Sequence, residues 1–272
     1  MINTIQIKQQ QFEKGTYSTG SGSEVILIIG SCRAVPYLTY LNDWNVQNGN
    51  RFTIHFIDPF NWNWDMQENR TDYTAELIKQ ESNSYLLDVF KNCSIFIHEY
   101  YGNAEMFNCD KEAEKNIYQF GLSPKQDITL PNYNDIFVLT REIISFDLEL
   151  RKMAIQDYNV NGKLSDYTLQ KIDIVREKNL QRFYDICSKT DFPEFAEIFK
   201  NEYKQVRYFW TFNHISKAFN QKIFRLMNEK FLHLPNVRMS EVDLYANNYT
   251  YLCEYDEGYK WREQIKPLKE IL

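Results

Sequence analysis

The sequence predicts an α/β protein: a parallel sheet of about four strands in the N-terminal half, with a mainly helical C-terminal half packed on it. Three observations carry this. Val25-Ile26-Leu27-Ile28-Ile29 is a continuous aliphatic run, β-branched at four of its five positions, as suits a strand buried on both faces of a parallel sheet. Strand-like and helix-like stretches then alternate over 25–140. From about residue 141 the pattern becomes that of amphipathic helices. The chain reads as a single α/β domain over 1–272, with a sheet core at 25–140 and a helical part at 141–272.

Taken in order, residues 1–24 end in TYSTGSGSE, a Gly/Ser-rich lead-in expected to lack regular structure until the first strand. Gly30 permits a sharp turn after that strand and Ser31-Cys32-Arg33 sit at its carboxyl end. From Ala34 onward Val35, Leu38 and Leu41 recur at helical spacing, with Pro36 tolerated in the first turn. The second strand is 52–57, closed by Asp58-Pro59, so strand, helix and strand form a βαβ unit. Phe60–Asn69 reads as an exposed aromatic loop, followed by a helix capped by Asp72 and faced by Leu77, Leu86, Leu87 and Phe90. Ser94–His98 is a third strand, a helix is expected near Asp110–Gln119, and a fourth strand at Asp127–Leu130 stops at Pro131. Helices follow at Ile144–Tyr158, Ser165–Cys187 and Asp191–Tyr203. The aromatic run 206–212 then delivers Asn213 and His214 to the start of a last helix, Ile215–Phe231.

Composition narrows the function. With 31 Lys+Arg against 37 Asp+Glu the net charge is −6, which disfavours a nucleic-acid partner because phosphate neutralisation needs a basic footprint. No apolar run approaches the roughly 20 residues of a membrane span, so no integral membrane segment is expected. Five cysteines without CxxC spacing fit a reducing cytoplasm and support neither a disulfide framework nor a metal site. Oligomeric state is not legible. Aromatic content of 16% suits either large cores or sugar-contacting surfaces.

Cys32 is the sharpest chemical signal. A thiol at the turn into a helix N-terminus, beside Arg33, favours the nucleophilic thiolate, although a small buried residue at a tight junction has the same appearance. An imidazole base must be one of His55, His98, His214 and His233. His55 lies inside a strand and reads as packed, and His233 lies past a helix end. His98 ends the third strand on the same edge as Cys32, and His214 is expected at a helix start that keeps it neutral. Asp58 either orients an imidazole, binds a ribose hydroxyl or simply ends a strand. Trp62, Trp64, Tyr100 and Tyr101 lie on segments leaving the strand edge and suit either stacking on a ligand or local packing. There is no GxGxxG or GK[ST] motif, so a nucleotide-dependent methyltransferase would rest on Gly30 and Asp58 alone.

ILIIGSCRAVPYLTYL resembles the opening of the capsular polysaccharide biosynthesis acetyltransferases of the WcbI type, in which an early strand leads into Gly-Asn-Cys-Gln and a helix. FWTFNHISKAFNQKIFRLMNEKF resembles that family's aromatic run, Asn-His pair and following helix, and ITLPNY its strand-to-proline segment. Ser31, Arg33 and Ile215 depart from that pattern, where Asn, Gln and Pro are usual. The resemblance implies an O-acetyltransferase of surface polysaccharide biosynthesis that uses coenzyme A or acetyl-CoA as acyl donor and a saccharide as acceptor. Cys32 and His214 would then be catalytic, and Gly30, Ser31, Arg33 and Asn213 would bind the acyl donor. Backbone N–H groups of Ser31–Arg33 would stabilise an oxyanion, or Arg33 would hold a phosphate. Gly-Ser-Cys-x-Ala also resembles the GSCFA proteins related to SGNH hydrolases. A thiol esterase or hydrolase, or a catalytically silent ligand-binding protein of the same fold, is the alternative.

Overall fold

A computed structural model describes residues 16–57, 89, 92–100, 124–241, 243, 246, 250–261 and 265–272. Among these, the main sheet is built from β1 (Thr16–Gly20), β2 (Glu24–Ile29), β3 (Phe52–Ile57), β4 (Cys93–Tyr100) and β5 (Gln126–Pro131), in spatial order β1-β3-β2-β4-β5. β2 is central. It pairs in parallel with β3 on one side and β4 on the other, and β4 pairs in parallel with β5. The chain is α/β, and its parallel strands coincide with the four hydrophobic runs read from the sequence.

The fifth strand corrects the expectation for the lead-in. Tyr17–Gly20 do not wait for β2: β1 pairs antiparallel with β3, with Tyr17 opposite Phe56. Thr16, Tyr17 and Thr19 suit a strand while Ser18 and Gly20 do not, and β3 offers an unpaired edge that β1 covers. Gly20 fits where the chain turns away, at φ +79° and against the Phe52 carbonyl.

Helix α1 (Val35–Gln47) covers the sheet face formed by Ile26, Ile28, Ile54 and Phe56. Trp44 packs on Phe52 with ring centroids 5.7 Å apart. Fully buried Asn45 ties the helix to the start of β3: its Oδ1 accepts from Phe52 N and its Nδ2 donates to Phe52 O, both at 2.8 Å. Leu27 and Ile29, which point to the other face, are also buried, so β2 is covered on both sides as its apolar run requires.

Two compact units divide the chain. One comprises Met1–Asn132 with Phe224–Ser240, the other Tyr133–Ile223 with Glu241–Leu272. The first unit therefore ends before residue 140, and a later segment rejoins it. Phe224 stacks on Tyr37 and meets Tyr40 edge-on, while Trp44 Nε1 donates to Pro235 O and Gln126 Nε2 to Phe231 O.

The second unit holds α2 (Thr140–Phe146), α3 (Leu148–Asn161), α4 (Asp166–Ser188), α5 (Glu194–Glu202), the hairpin strands β6 (Phe209–Thr211) and β7 (His214–Ile215), and the start of α6 (Lys217–Met227). The expected helix Ile144–Tyr158 is two helices. Asp147 separates them, its Oδ1 accepting from Glu149 N and Leu150 N as the cap of α3. Ser165 caps α4 by accepting from Thr168 N, and Gly162 ends α3 at φ +70°. α6 starts at Lys217 and runs on through a π-helical turn, Asn228–Leu232. Much of the aromatic content is core here: Tyr133 stacks on Phe209, Phe183 packs on Phe199 and Phe195 on Phe219. The expected aromatic loop at 60–69, the Asp72-capped helix and the helix near 110–119 lie outside the described residues.

Candidate active site

From β2 the chain passes to β3 on one side of it, and the later strands β4 and β5 lie on the other side. The carboxyl ends of β2 and β4 therefore flank a topological switch point, where ligands of open α/β sheets bind. The Gly30–Arg33 turn stands there. Ala34 N donates to Ser31 O at 2.9 Å, closing a turn that leads into α1. A Cβ on Gly30 would lie 2.5 Å from Ala34 Cβ and 3.3 Å from the Glu99 side chain, so only glycine admits this approach of helix, turn and neighbouring strand.

Glu99, on β4, organises the corner. Its Oε2 accepts from Ser31 N at 3.2 Å and from Ser31 Oγ at 3.0 Å. Arg33 Nη2 lies 3.8 Å from the same oxygen, and the two charged side chains are only 7% and 3% exposed. Ser31 Oγ in turn accepts from Arg33 N at 3.3 Å. A buried carboxylate thus sits where an anionic ligand oxygen was expected, on the N–H of Ser31.

This changes the roles expected of two residues. The N–H groups of Ser31 and Arg33 already have acceptors, so they are not an open oxyanion hole. Arg33 is buried against Glu99, so its guanidinium is not presented to a coenzyme A phosphate. Cys32 differs from both neighbours: Ser31 and Arg33 are buried, whereas Cys32 is partly exposed. It precedes the first residue of α1 by three positions, and Ala34 caps that helix without a side-chain bond.

The histidines separate clearly. His98 lies on β4 next to Glu99, so pleating sends the two to opposite faces. Its Nε2 lies 3.1 Å from Asp127 Oδ1 and 3.2 Å from Thr129 Oγ1, with the ring stacked on Phe96. It belongs to the face away from Glu99. His55 is packed inside β3, where burial holds its pKa down at about 4. His233 follows the π-helical turn at φ +50°.

Asn213 and His214 are brought together, but on a hairpin rather than a helix. β6 and β7 pair antiparallel, with Thr211 opposite His214, and α6 begins only at Lys217, so a helix dipole does not act on His214 as expected. Thr211 Oγ1 is the hub. It donates to Asn213 Oδ1 at 2.9 Å, accepts from His214 N at 3.2 Å and lies 3.1 Å from His214 Nδ1. The threonine has one proton, so donation to Asn213 Oδ1 and donation to His214 Nδ1 are alternatives, and the tautomer of the ring follows from which one is made.

The predicted residues thus fall into two groups. Gly30, Ser31, Cys32 and Arg33 form the switch-point turn of the first unit, and Asn213 and His214 form the hairpin of the second. The sequence reading missed Glu99 and Thr211. An acidic residue at the end of the apolar run SIFIH was a visible signal for Glu99, whereas Thr211 carried none. Asn132, just past β5, was missed as well. It is buried, and among the described residues neither of its amide atoms has a hydrogen-bond partner. Asp58, Trp62, Trp64 and Tyr101 lie outside the described residues, while Tyr100 closes β4 opposite Pro131. Among the described residues no group of three or more His, Cys, Asp or Glu is placed to hold a metal ion, and no helix is long and apolar enough to cross a membrane. Compared with protein-family models, curated proteins and solved structures, the chain matches none.

Proposed function

We propose that this chain is an acyltransferase that moves an acetyl group from coenzyme A to a saccharide hydroxyl in surface polysaccharide biosynthesis, with Cys32 as nucleophile. The observation that supports this is the partly exposed thiol between two buried neighbours at the switch point. Glu99 clamps both neighbours, so the turn presents Cys32 on a rigid base. In the reaction the Cys32 thiolate attacks the thioester carbonyl. The C–S bond to the donor breaks, and the released coenzyme thiolate takes up a proton. The acceptor hydroxyl then attacks the acyl-cysteine, giving its proton to the unprotonated ring nitrogen of His214 as the Cys32 thiolate leaves.

A second reading is favoured by a specific observation. Ser31 N and Arg33 N are occupied by Glu99 Oε2 and Ser31 Oγ, so an acyl oxygen gains those donors only by displacing their present acceptors. A ligand-binding protein of the same fold without turnover accommodates that arrangement directly.

The test is calorimetric titration of acetyl-CoA, followed by intact-mass analysis for acetylated Cys32. Binding near micromolar, roughly −8 kcal/mol, with an acetyl group on wild type and none on Cys32→Ala, is the expected outcome. Binding without acetylation or turnover refutes the transferase and leaves the silent protein. Acyl release to water at the same rate with no acceptor present makes it a hydrolase.

A further inference from the structure

The second unit contains a cavity of about 310 Å³, at the small end of the range for small-molecule sites. It lies wholly within that unit, and its ligand is independent of the acyl-transfer reading. Its floor is set by Arg176, which is committed internally: Nε donates to Val138 O, Nη2 to Thr140 Oγ1, Nη1 pairs with Asp173, and Asp256 lies 3.9 Å away. Asp256 is committed too, accepting from Thr140 N and Cys253 N. Both groups have protein partners without a ligand.

Lys204 and Glu257 on the wall are different. Both are exposed and carry opposite charge, yet among the described residues neither forms an ion pair. They sit on segments already joined by the bond from Lys260 N to Lys204 O. The Lys204 ammonium is instead steered by aromatic rings, 5.7 Å from the centroid of Tyr259 and 6.0 Å from that of Tyr203. Two opposite charges thus line one cavity without neutralising each other. The same cavity offers apolar and aromatic surface from Leu169 and Tyr255.

A ligand that completes all three features carries an anionic group, a cationic group and an apolar substituent on one small frame. We infer that this cavity binds a free α-amino acid with an apolar side chain. Its carboxylate pairs with Lys204, its ammonium with Glu257, and its side chain packs on Leu169 and Tyr255. Each charge on such a ligand finds its complement at the wall, whereas a singly charged ligand leaves one wall charge unmatched.

The test is calorimetric titration of L-leucine and L-phenylalanine into the full chain, beside N-acetyl-L-leucine and L-leucinamide, which each lack one charge. At least one free amino acid is expected to bind, and each capped form to bind at least tenfold more weakly, about 1.4 kcal/mol. Lys204→Met and Glu257→Gln should each weaken the free amino acid by a similar factor. Both side chains are exposed, so the urea midpoint of either variant should match wild type. No binding of either amino acid at millimolar concentration, equal binding of the capped forms, or unchanged affinity in both variants overturns the inference. Loss of acetyl-CoA binding or of Cys32 acetylation leaves it standing.

Discussion

Removing the Glu99 carboxylate is the sharpest perturbation of the switch-point corner. Glu99→Ala deletes the acceptor of Ser31 N and Ser31 Oγ and leaves Arg33 without the carboxylate 3.8 Å away. Hydrogen bonds to a charged group contribute roughly 1.5–3 kcal/mol each, and breaking a buried pair by removing one partner costs about 3–5 kcal/mol. At 3.8 Å the guanidinium nitrogen is beyond hydrogen-bond distance, so the lower end applies and a loss of about 3 kcal/mol is expected. Glu99→Gln retains one acceptor oxygen for Ser31 and should cost about half as much. Glu99→Leu combined with Arg33→Met, which removes both charges together, should recover the part of the loss due to the unpaired guanidinium but not the part due to the orphaned Ser31 donors. Urea unfolding, compared at constant m, measures all three. A Glu99→Ala variant within about 0.5 kcal/mol of wild type would refute the role given to this carboxylate.

Two further outcomes follow from titration and exposure. Burial raises the Glu142 pKa to about 8 from 4.5, against bonds from Leu139, Thr250 and Val138 that act to lower it. The folded protein therefore keeps a proton that the unfolded chain has released, and stability falls as pH rises from about 4.5 to 8, by up to about 1.4 kcal/mol per pH unit. His55 acts with the opposite sign, since its lowered pKa removes stability as pH falls from 6.5 to about 4. The window between pH 7 and 8 thus isolates Glu142, and unfolding free energies measured there should slope less in Glu142→Gln than in wild type. A parallel pair of slopes would contradict this. Iodoacetamide under native conditions should label Cys32 before Cys93, Cys187 or Cys253, because burial pushes Cys93 up to about 12 and raises the other two as well. Peptide mass mapping checks the order, and prior labelling of any of the three buried thiols would contradict the burial seen here.

What depends on near neighbours in the chain could be read from the residues alone. The aliphatic run of β2, the strands at 52–57, 94–98 and 127–130 and the helix beginning near Ser165 were legible because periodicity, caps and turn residues act within a few positions. So was the presence of Cys32 at a strand-to-helix turn. Features that depend on pairing emerged only from the fold. β1 is a short stretch that local preference alone does not single out, and it is a strand because β3 offers an edge. The switch point exists because β2 lies between β3 and β4, an order that hydropathy does not encode. Glu99 meets Ser31 across 68 positions, through the β2–β4 register. His214 sits on a hairpin because Phe209 pairs with Ile215, which preempts the helix that the residues after it favour. Backbone pairing and charge burial act through space, and one sequence read along its length does not say which residues will meet.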